Sequence, residues 1–275
     1  MPRFQLRRPF PLRRSVPVGG YAWGVTPGDQ GPDWILLPRS DSIEVRTYEA
    51  NDHLGLFLTF SDLGADPDRL LNFANRFGPL GIEVEVPWAA VGETTIQPAE
   101  GERLADWQQE VTAMAHAVGV WRYLQSEDEA GLREGSPGPN PIPTAQSWLA
   151  DTIDQQLQRL GVRPRMGTEP ETGKPRLAVA ARNLLGGLWL HFAWAVSGDT
   201  KYRQCPVCQT YFVIERGQYR ESRNFCSDAC RMRAYRERKD MARRLAGEGL
   251  ELKDIAKRLG SDITTVKGWV ARDAL

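Results

Sequence analysis

Between residues 104 and 121 the apolar positions Leu104, Trp107, Val111, Met114, Val118 and Trp121 fall three or four residues apart. That spacing holds one stripe of a helix against a core and predicts a long amphipathic helix. Residues 65–77 predict a second helix, with Leu70, Leu71, Phe73 and Ala74 on one face. The Gly/Pro-rich stretch 135–143 reads as a loop, after which Thr144 caps a third helix. Trp148, Ile153, Leu157 and Leu160 form its apolar face, and Gly161 ends it. Residues 177–196 are apolar almost throughout and predict a helix buried on every side. Shorter runs at 34–37, around Ile43, Val45 and Tyr48, and at 56–60 read as antiparallel strands. The pairs Gly19-Gly20, Pro27-Gly28 and Gly31-Pro32 supply the turns, and residues 81–87 are a further strand candidate.

This order of elements predicts a multidomain α/β chain. Its N-terminal α+β domain has a β-rich part over 1–99 and a helical part over 100–200. A small module over 201–240 that holds all four cysteines and an all-α unit over 241–275 follow. The apolar run 177–196 is about one bilayer long. Against a membrane span, it contains Arg182, Asn183, Gly186 and Gly187, and an arginine near a bilayer centre costs roughly 2.5 to 3.5 kcal/mol. The first 14 residues hold five arginines and no continuous apolar run, so no secretory signal is read there and a cytoplasmic location is expected.

Net charge is zero, but it is unevenly placed. Residues 201–275 hold 17 Lys/Arg against 10 Asp/Glu, and residues 1–200 hold 18 against 25, giving +7 and −7. An acidic module precedes a basic one.

All four cysteines lie within 26 residues: Cys205 and Cys208 with two residues between them, 17 more residues, then Cys226 and Cys230 with three between. Two short-spaced pairs can place four thiolates around one ion, as structural zinc requires. A disulfide or free-thiol reading is disfavoured by the expected reducing compartment. Cys205 to Cys208 reads as a knuckle, residues 211–214 and 223–225 as two strands with a turn near Arg216-Gly217, and Cys226 and Cys230 as the start of a helix. Knuckle, hairpin and helix in that order make a treble-clef finger. Four thiolates leave no open position, so the metal is expected to hold the fold and do no chemistry.

The helix entered through Cys226 carries Arg231, Arg233, Arg236, Arg238, Lys239, Arg243 and Arg244. That density of positive charge is the footprint expected for phosphate contacts. Beyond it, residues 252–259 read as a short helix, Gly260 as a turn, Asp262 as a cap, and 263–272 as a last helix anchored by Val266, Trp269 and Val270. Thr264, Lys267 and Arg272 are its candidate base readers.

Two resemblances add to this reading. The run from Ile255-Ala256 through Leu259-Gly260 to Thr265-Val266 and Trp269 resembles the helix-turn-helix of many bacterial regulators. Ser261 stands where a small apolar residue is usual there. The stretch 188–238 looks like the junction between an ABATE-type domain and its CGNR zinc finger, although Arg231-Met232-Arg233 follows Cys230 where that family has Gly-Asn-Arg. The resemblance implies a bacterial transcription regulator whose N-terminal domain senses a signal, so DNA and a small-molecule effector are the expected partners. A single helix-turn-helix reads few base pairs, which makes a homodimer the expected form.

Enzyme chemistry finds little footing. Gly167 to Lys174 has five residues between its glycines where a phosphate loop needs four, and Pro175 follows where Ser or Thr is required. HExxH, GxSxG and a post-strand GxGxxG are absent. The three histidines His53, His116 and His191 are scattered, and His116 and His191 read as buried and hydrogen-bonded. The expectation is therefore a non-enzymatic DNA-binding regulator. A protein-interaction adaptor, or an enzyme fused to a DNA-binding tail, are the alternatives.

Overall fold

The computed structural model describes residues 11–28, 31–39, 44–96, 98–126, 141–168, 173–198, 201–214 and 223–271. The chain is mixed α/β, with helices and antiparallel sheets, and divides into two compact units, Met1–Thr200 and Lys201–Leu275. Among the described residues no helix is long and apolar enough to cross a membrane.

The first unit opens with β1 (Arg13–Pro17), β2 (Tyr21–Gly28), β3 (Gly31–Pro38) and β4 (Val45–Glu49). β1 pairs with β4, and β2 with β3, both antiparallel. β5 (Val84–Val86), β6 (Ala89–Val91), β7 (Thr94–Ile96) and β8 (Ala99–Arg103) complete a six-stranded sheet ordered β5-β8-β3-β2-β6-β7. Ile35, Leu36 and Leu37 are all buried, so β3 is covered on both faces and its apolar run does not alternate.

Residues 56–60, read as a strand, form helix α1 (Leu56–Ser61) instead. Leu56, Phe57, Leu58 and Phe60 are all buried, so the helix shows no polar face and its pattern cannot separate a period of 2 from one of 3.6. α2 (Pro67–Phe77) follows the helical reading, with Asp66 accepting from the N–H groups of Asp68 and Arg69, and Pro67 where a missing N–H costs nothing. α3 (Leu104–Ser126) buries Trp107, Val111, Met114, Val118 and Trp121. Trp107 meets Phe60, Phe73 and Trp23 with ring centroids 6.2 to 6.5 Å apart. Truncating a ring so enclosed costs about 3 to 5 kcal/mol.

α4 (Pro141–Arg159) begins earlier than the sequence suggested, so Thr144 lies inside it; residues 135–140 of the expected loop lie outside the described residues. Prolines are tolerated in a first helical turn, whose N–H groups have no intrahelical acceptor. Ala145, Leu149 and Ile153 form its buried face and Leu160 is buried just past its end, while Trp148 sits at the surface against His116, 4.7 Å between ring centres. His116 is thus exposed rather than buried.

The single helix expected over 177–196 is split. Residues 177–180 belong to β10 (Pro175–Ala180), paired with β9 (Arg163–Thr168), and α5 spans Leu184–Ser197. Asn183 makes the break: its side chain accepts from the Gly186 N–H as an N-cap. The candidate phosphate loop therefore falls on the β9–β10 hairpin, with residues 169–172 outside the described set.

Glu102 is 1% exposed on β8. Its carboxylate accepts from the N–H groups of Leu80, Gly81 and Ile82 and from Trp107 Nε1. Burial raises its pKa and these four donors pull it back, leaving it above the usual carboxylate range. It ties the loop before β5 to the start of α3.

The second unit comprises β11 (Lys201–Gln204) and β12 (Tyr211–Ile214), then α6 (Asp228–Gly247), α7 (Leu252–Leu259) and α8 (Ile263–Val270). Ala242 and Leu245 of α6 pack on Ile255 and Ala256 of α7 and on Val266 and Trp269 of α8. Gly260 closes α7 at φ +57, the left-handed C-cap that lets two helices join through so short a turn. Asp262 accepts from the Thr265 N–H at 2.7 Å and caps α8.

Candidate metal centre and basic surface

The knuckle sits in the turn of a hairpin different from the expected one. β11 pairs with β12, Lys201 opposite Ile214 and Gln204 opposite Tyr211, so Cys205 and Cys208 lie in the β11–β12 turn. Residues 223–225 form no strand; they lead directly into the helix. The lysine- and tyrosine-bearing segment before the knuckle carried no strong alternation, which is why the wrong partner was read.

Local bonds shape the turn. The Gln209 N–H donates to the Cys205 carbonyl at 2.9 Å, the Cys205 N–H donates to the Thr210 carbonyl at 3.0 Å, and Gln209 takes φ +58 to reverse the chain. On the other side Ser227 caps α6, its hydroxyl accepting from the Cys230 N–H at 3.2 Å. This bond fixes Cys230 in the first turn. Arg203 ties the halves together: its Nη1 donates to the Arg223 carbonyl and to Asn224 Oδ1, each at 2.7 Å. Arg223 in turn donates to the Phe225 and Cys226 carbonyls and lies over the Phe212 ring.

The four Sγ atoms of Cys205, Cys208, Cys226 and Cys230 lie within 4.8 Å of one another. Cys208 and Cys226 are 3.4 Å apart and Cys226 and Cys230 3.5 Å apart, with all four cysteines free of disulfides. A tetrahedron of thiolates about 2.3 Å from a zinc ion has sulfur–sulfur edges of about 3.8 Å. The cluster is within a small adjustment of that geometry, so these residues are placed to hold one metal ion.

The thiols differ in acidity. Burial raises Cys208, but the Thr210 N–H and hydroxyl outweigh it and lower the net value. Burial also raises Cys205, and the N–H groups of Cys226, Cys208 and Val207 bring it down. Burial and the neighbouring thiols Cys208 and Cys230 push Cys226 up. Four like charges so close cannot all ionise alone, and a divalent cation is what would let them.

The basic residues fall into three groups. Arg231 pairs with Asp228 at 3.1 Å and Arg233 with Glu237 at 3.0 Å, exposed local pairs of little energetic weight. Arg236 is exposed and Lys239 half-buried, and neither forms an ion pair with a described residue. Arg243 is different. Its Nε donates to the Trp269 carbonyl at 3.1 Å, satisfying one of the last carbonyls of α8, and it approaches Asp240 at 3.9 Å. Thr264 and Lys267 are exposed on α8, and Arg272 lies outside the described residues.

Ser227 and Arg203 went unnoticed in the sequence. Ser227 alone had a readable signal, a serine directly before a helical segment. No family model, curated protein or solved structure matches the chain.

Proposed function

We propose that the chain is a zinc-containing DNA-binding protein acting as a transcription regulator, with a treble-clef finger and a helix-turn-helix in its second unit. Cys205, Cys208, Cys226 and Cys230 would hold one structural zinc ion, which supplies folding energy rather than catalysis. The observation that carries this reading is the continuity of α6: one 20-residue helix starts at the cysteine cluster, bears the arginine run, and ends in the core it shares with α7 and α8. Phosphate contacts from Arg231, Arg233, Arg236 and Lys239 would then position Thr264 and Lys267 against base edges. The ABATE–CGNR resemblance of residues 188–238 points the same way.

The test uses the full-length, zinc-loaded protein with a pool of random duplexes at low salt, followed by sequencing of the bound fraction. Enrichment of a defined sequence supports the reading. Absence of DNA affinity at low salt overturns it and moves the adaptor reading forward. That second reading has its own support in the exposed apolar side chains of the basic unit, Met232 at 45%, Tyr235 at 40% and Ile263 at 49% exposure.

A further inference from the structure

The first unit contains a pocket that DNA binding would not use. It has a volume of about 340 Å3 and opens where four segments converge: the turn Pro17, Val18, Gly19 and Gly20 between β1 and β2, Arg39 just past β3, Arg46 on β4, and Asn75 on α2. That volume is at the small end of the range for metabolite sites.

Both arginines are held in place by neutral groups. Arg39 donates from Nε to the Tyr21 carbonyl at 2.9 Å, and its own backbone N–H donates to the Gly20 carbonyl at 2.9 Å. Arg46 donates from Nη2 to the carbonyls of Asn75 and Arg76, at 3.2 and 3.0 Å. Carbonyls orient a guanidinium but do not neutralise it. Neither arginine forms an ion pair with a described residue. Each keeps N–H donors to spare, since a guanidinium carries five.

Asn75 is fixed as well. Its Oδ1 accepts from the Tyr21 N–H at 2.5 Å, so the amide orientation is set and its Nδ2 remains a donor. The bond requires glycine beside it: Gly20 has φ +73, and a Cβ there would collide with Asn75 Oδ1. Val18, 61% exposed, adds an apolar wall. Two cations with no ion pair among the described residues and a turned amide thus line one small pocket, within a region whose Asp and Glu outnumber its Lys and Arg by 25 to 18.

We propose that this pocket binds a small molecule through a single oxyanion group, a carboxylate or a phosphate, gripped between Arg39 and Arg46 with Asn75 as a third donor. A guanidinium matches such a group with two parallel N–H bonds, which is stronger and more directional than a lysine contact. A polyanion is disfavoured by the net −7 of residues 1–200, whereas one anionic group meets only its local partners. The inference stands apart from DNA binding and would survive the failure of that reading.

The test titrates the full-length protein by calorimetry with inorganic phosphate and, separately, with butyrate, at an ionic strength held constant with chloride. Saturable one-to-one binding of either probe supports the site, and the probe that binds tells phosphate chemistry from carboxylate chemistry. Arg39→Gln and Arg46→Gln should each weaken that binding tenfold or more. Because either variant can lose a structural bond as well, the wild-type protein is also followed through its 15N-labelled arginine Nε–H signals during the titration. Movement of the Arg39 and Arg46 signals on phosphate or butyrate supports the site. No saturable binding of either probe, or movement confined to other arginines, overturns it.

Discussion

Trp269 donates its indole Nε1–H to the Tyr235 hydroxyl at 3.0 Å, and the two rings meet edge to face with centroids 5.6 Å apart. Tyr235 lies on α6 soon after Cys230, and Trp269 lies on α8 with 5% exposure. The cysteine-bearing helix and the last helix are therefore joined through an aromatic pair. Tyr235→Phe keeps the ring contact and removes the acceptor, which should loosen the three-helix core by about 1 kcal/mol. Hydrogen exchange of the Trp269 indole N–H in the full-length protein should quicken roughly fivefold, the same quantity expressed as a rate. Unchanged exchange in the variant would show that the bond is not formed in solution.

Zinc removal should unfold the finger while leaving the first unit folded. The segment around the cysteines buries little of its own, with Cys205 and Phe212 among its few buried apolar side chains, so a bound metal would supply much of its folding energy. Purified protein should carry one equivalent of zinc, and Cys226→Ser should lose it, as read by metal analysis. A disulfide among these cysteines in protein kept reduced throughout would sink the assignment.

Arg236 and Arg243 should behave differently although both belong to the arginine run. Arg236→Ala should lower affinity for all duplexes alike and make the slope of log affinity against log salt shallower by about one unit. Arg243→Ala should instead destabilise the three-helix core, because it deprives the Trp269 carbonyl of its donor. Melting curves and salt titrations on the two variants separate these outcomes. Equal salt slopes for both would return Arg243 to the phosphate-binding set.

Lys267 is the candidate for base reading, exposed on α8 and outside the buried pair Val266 and Trp269. Lys267→Ala should cost about 1 to 3 kcal/mol on the preferred site and much less on random DNA. Selection from random duplexes by wild type and variant should yield different preferred sequences. Identical preferences with a uniform drop in affinity would assign Lys267 to phosphate.

Acid should weaken the first unit through His191. Burial, with His53 nearby, lowers its pKa to about 4, and Nε2 lies 3.0 Å from Asn51 Oδ1. The folded state therefore binds fewer protons than the unfolded one. The stability His191 contributes is intact above its unfolded pKa of about 6.5 and is lost as pH falls towards 4, a swing of about 3 kcal/mol. His53 is also lowered, by burial first and by Arg76, and adds in the same direction. Denaturant midpoints read by tryptophan fluorescence report this unit, since eight of the nine tryptophans precede residue 200. His191→Phe should flatten the dependence between pH 6.5 and 4; an unaltered slope would assign it to other groups.

Legibility in the sequence followed periodicity. α3 was readable because Trp107, Val111, Met114 and Val118 repeat at helical spacing beside polar residues, and α7 and α8 because Gly260 and Asp262 mark a stop and a start. α1 was misread because burial on nearly every side erased its period. The split at Asn183 was overlooked because the apolar run continues through it, although an N-cap residue stood in plain view. The cysteine cluster needed only spacing. The true partner strand of β12, and the bonds of Arg203 and Arg223 around the cluster, depend on tertiary contacts that no local pattern encodes. The Arg39–Arg46 pocket is of the same kind, assembled from segments separated by up to about 60 residues.

The unbroken course of α6 makes it a ruler with a phase. Each residue of an α-helix advances about 1.5 Å and turns about 100°. One alanine inserted between Lys239 and Ala242 would swing the cysteine cluster about 100° around the axis relative to α7 and α8. Seven would restore the facing to within about 20° while moving the cluster about 10 Å away. The fold thus stores the separation and the relative facing of its two ends in a residue count, so length changes in this one helix would be felt as rotations.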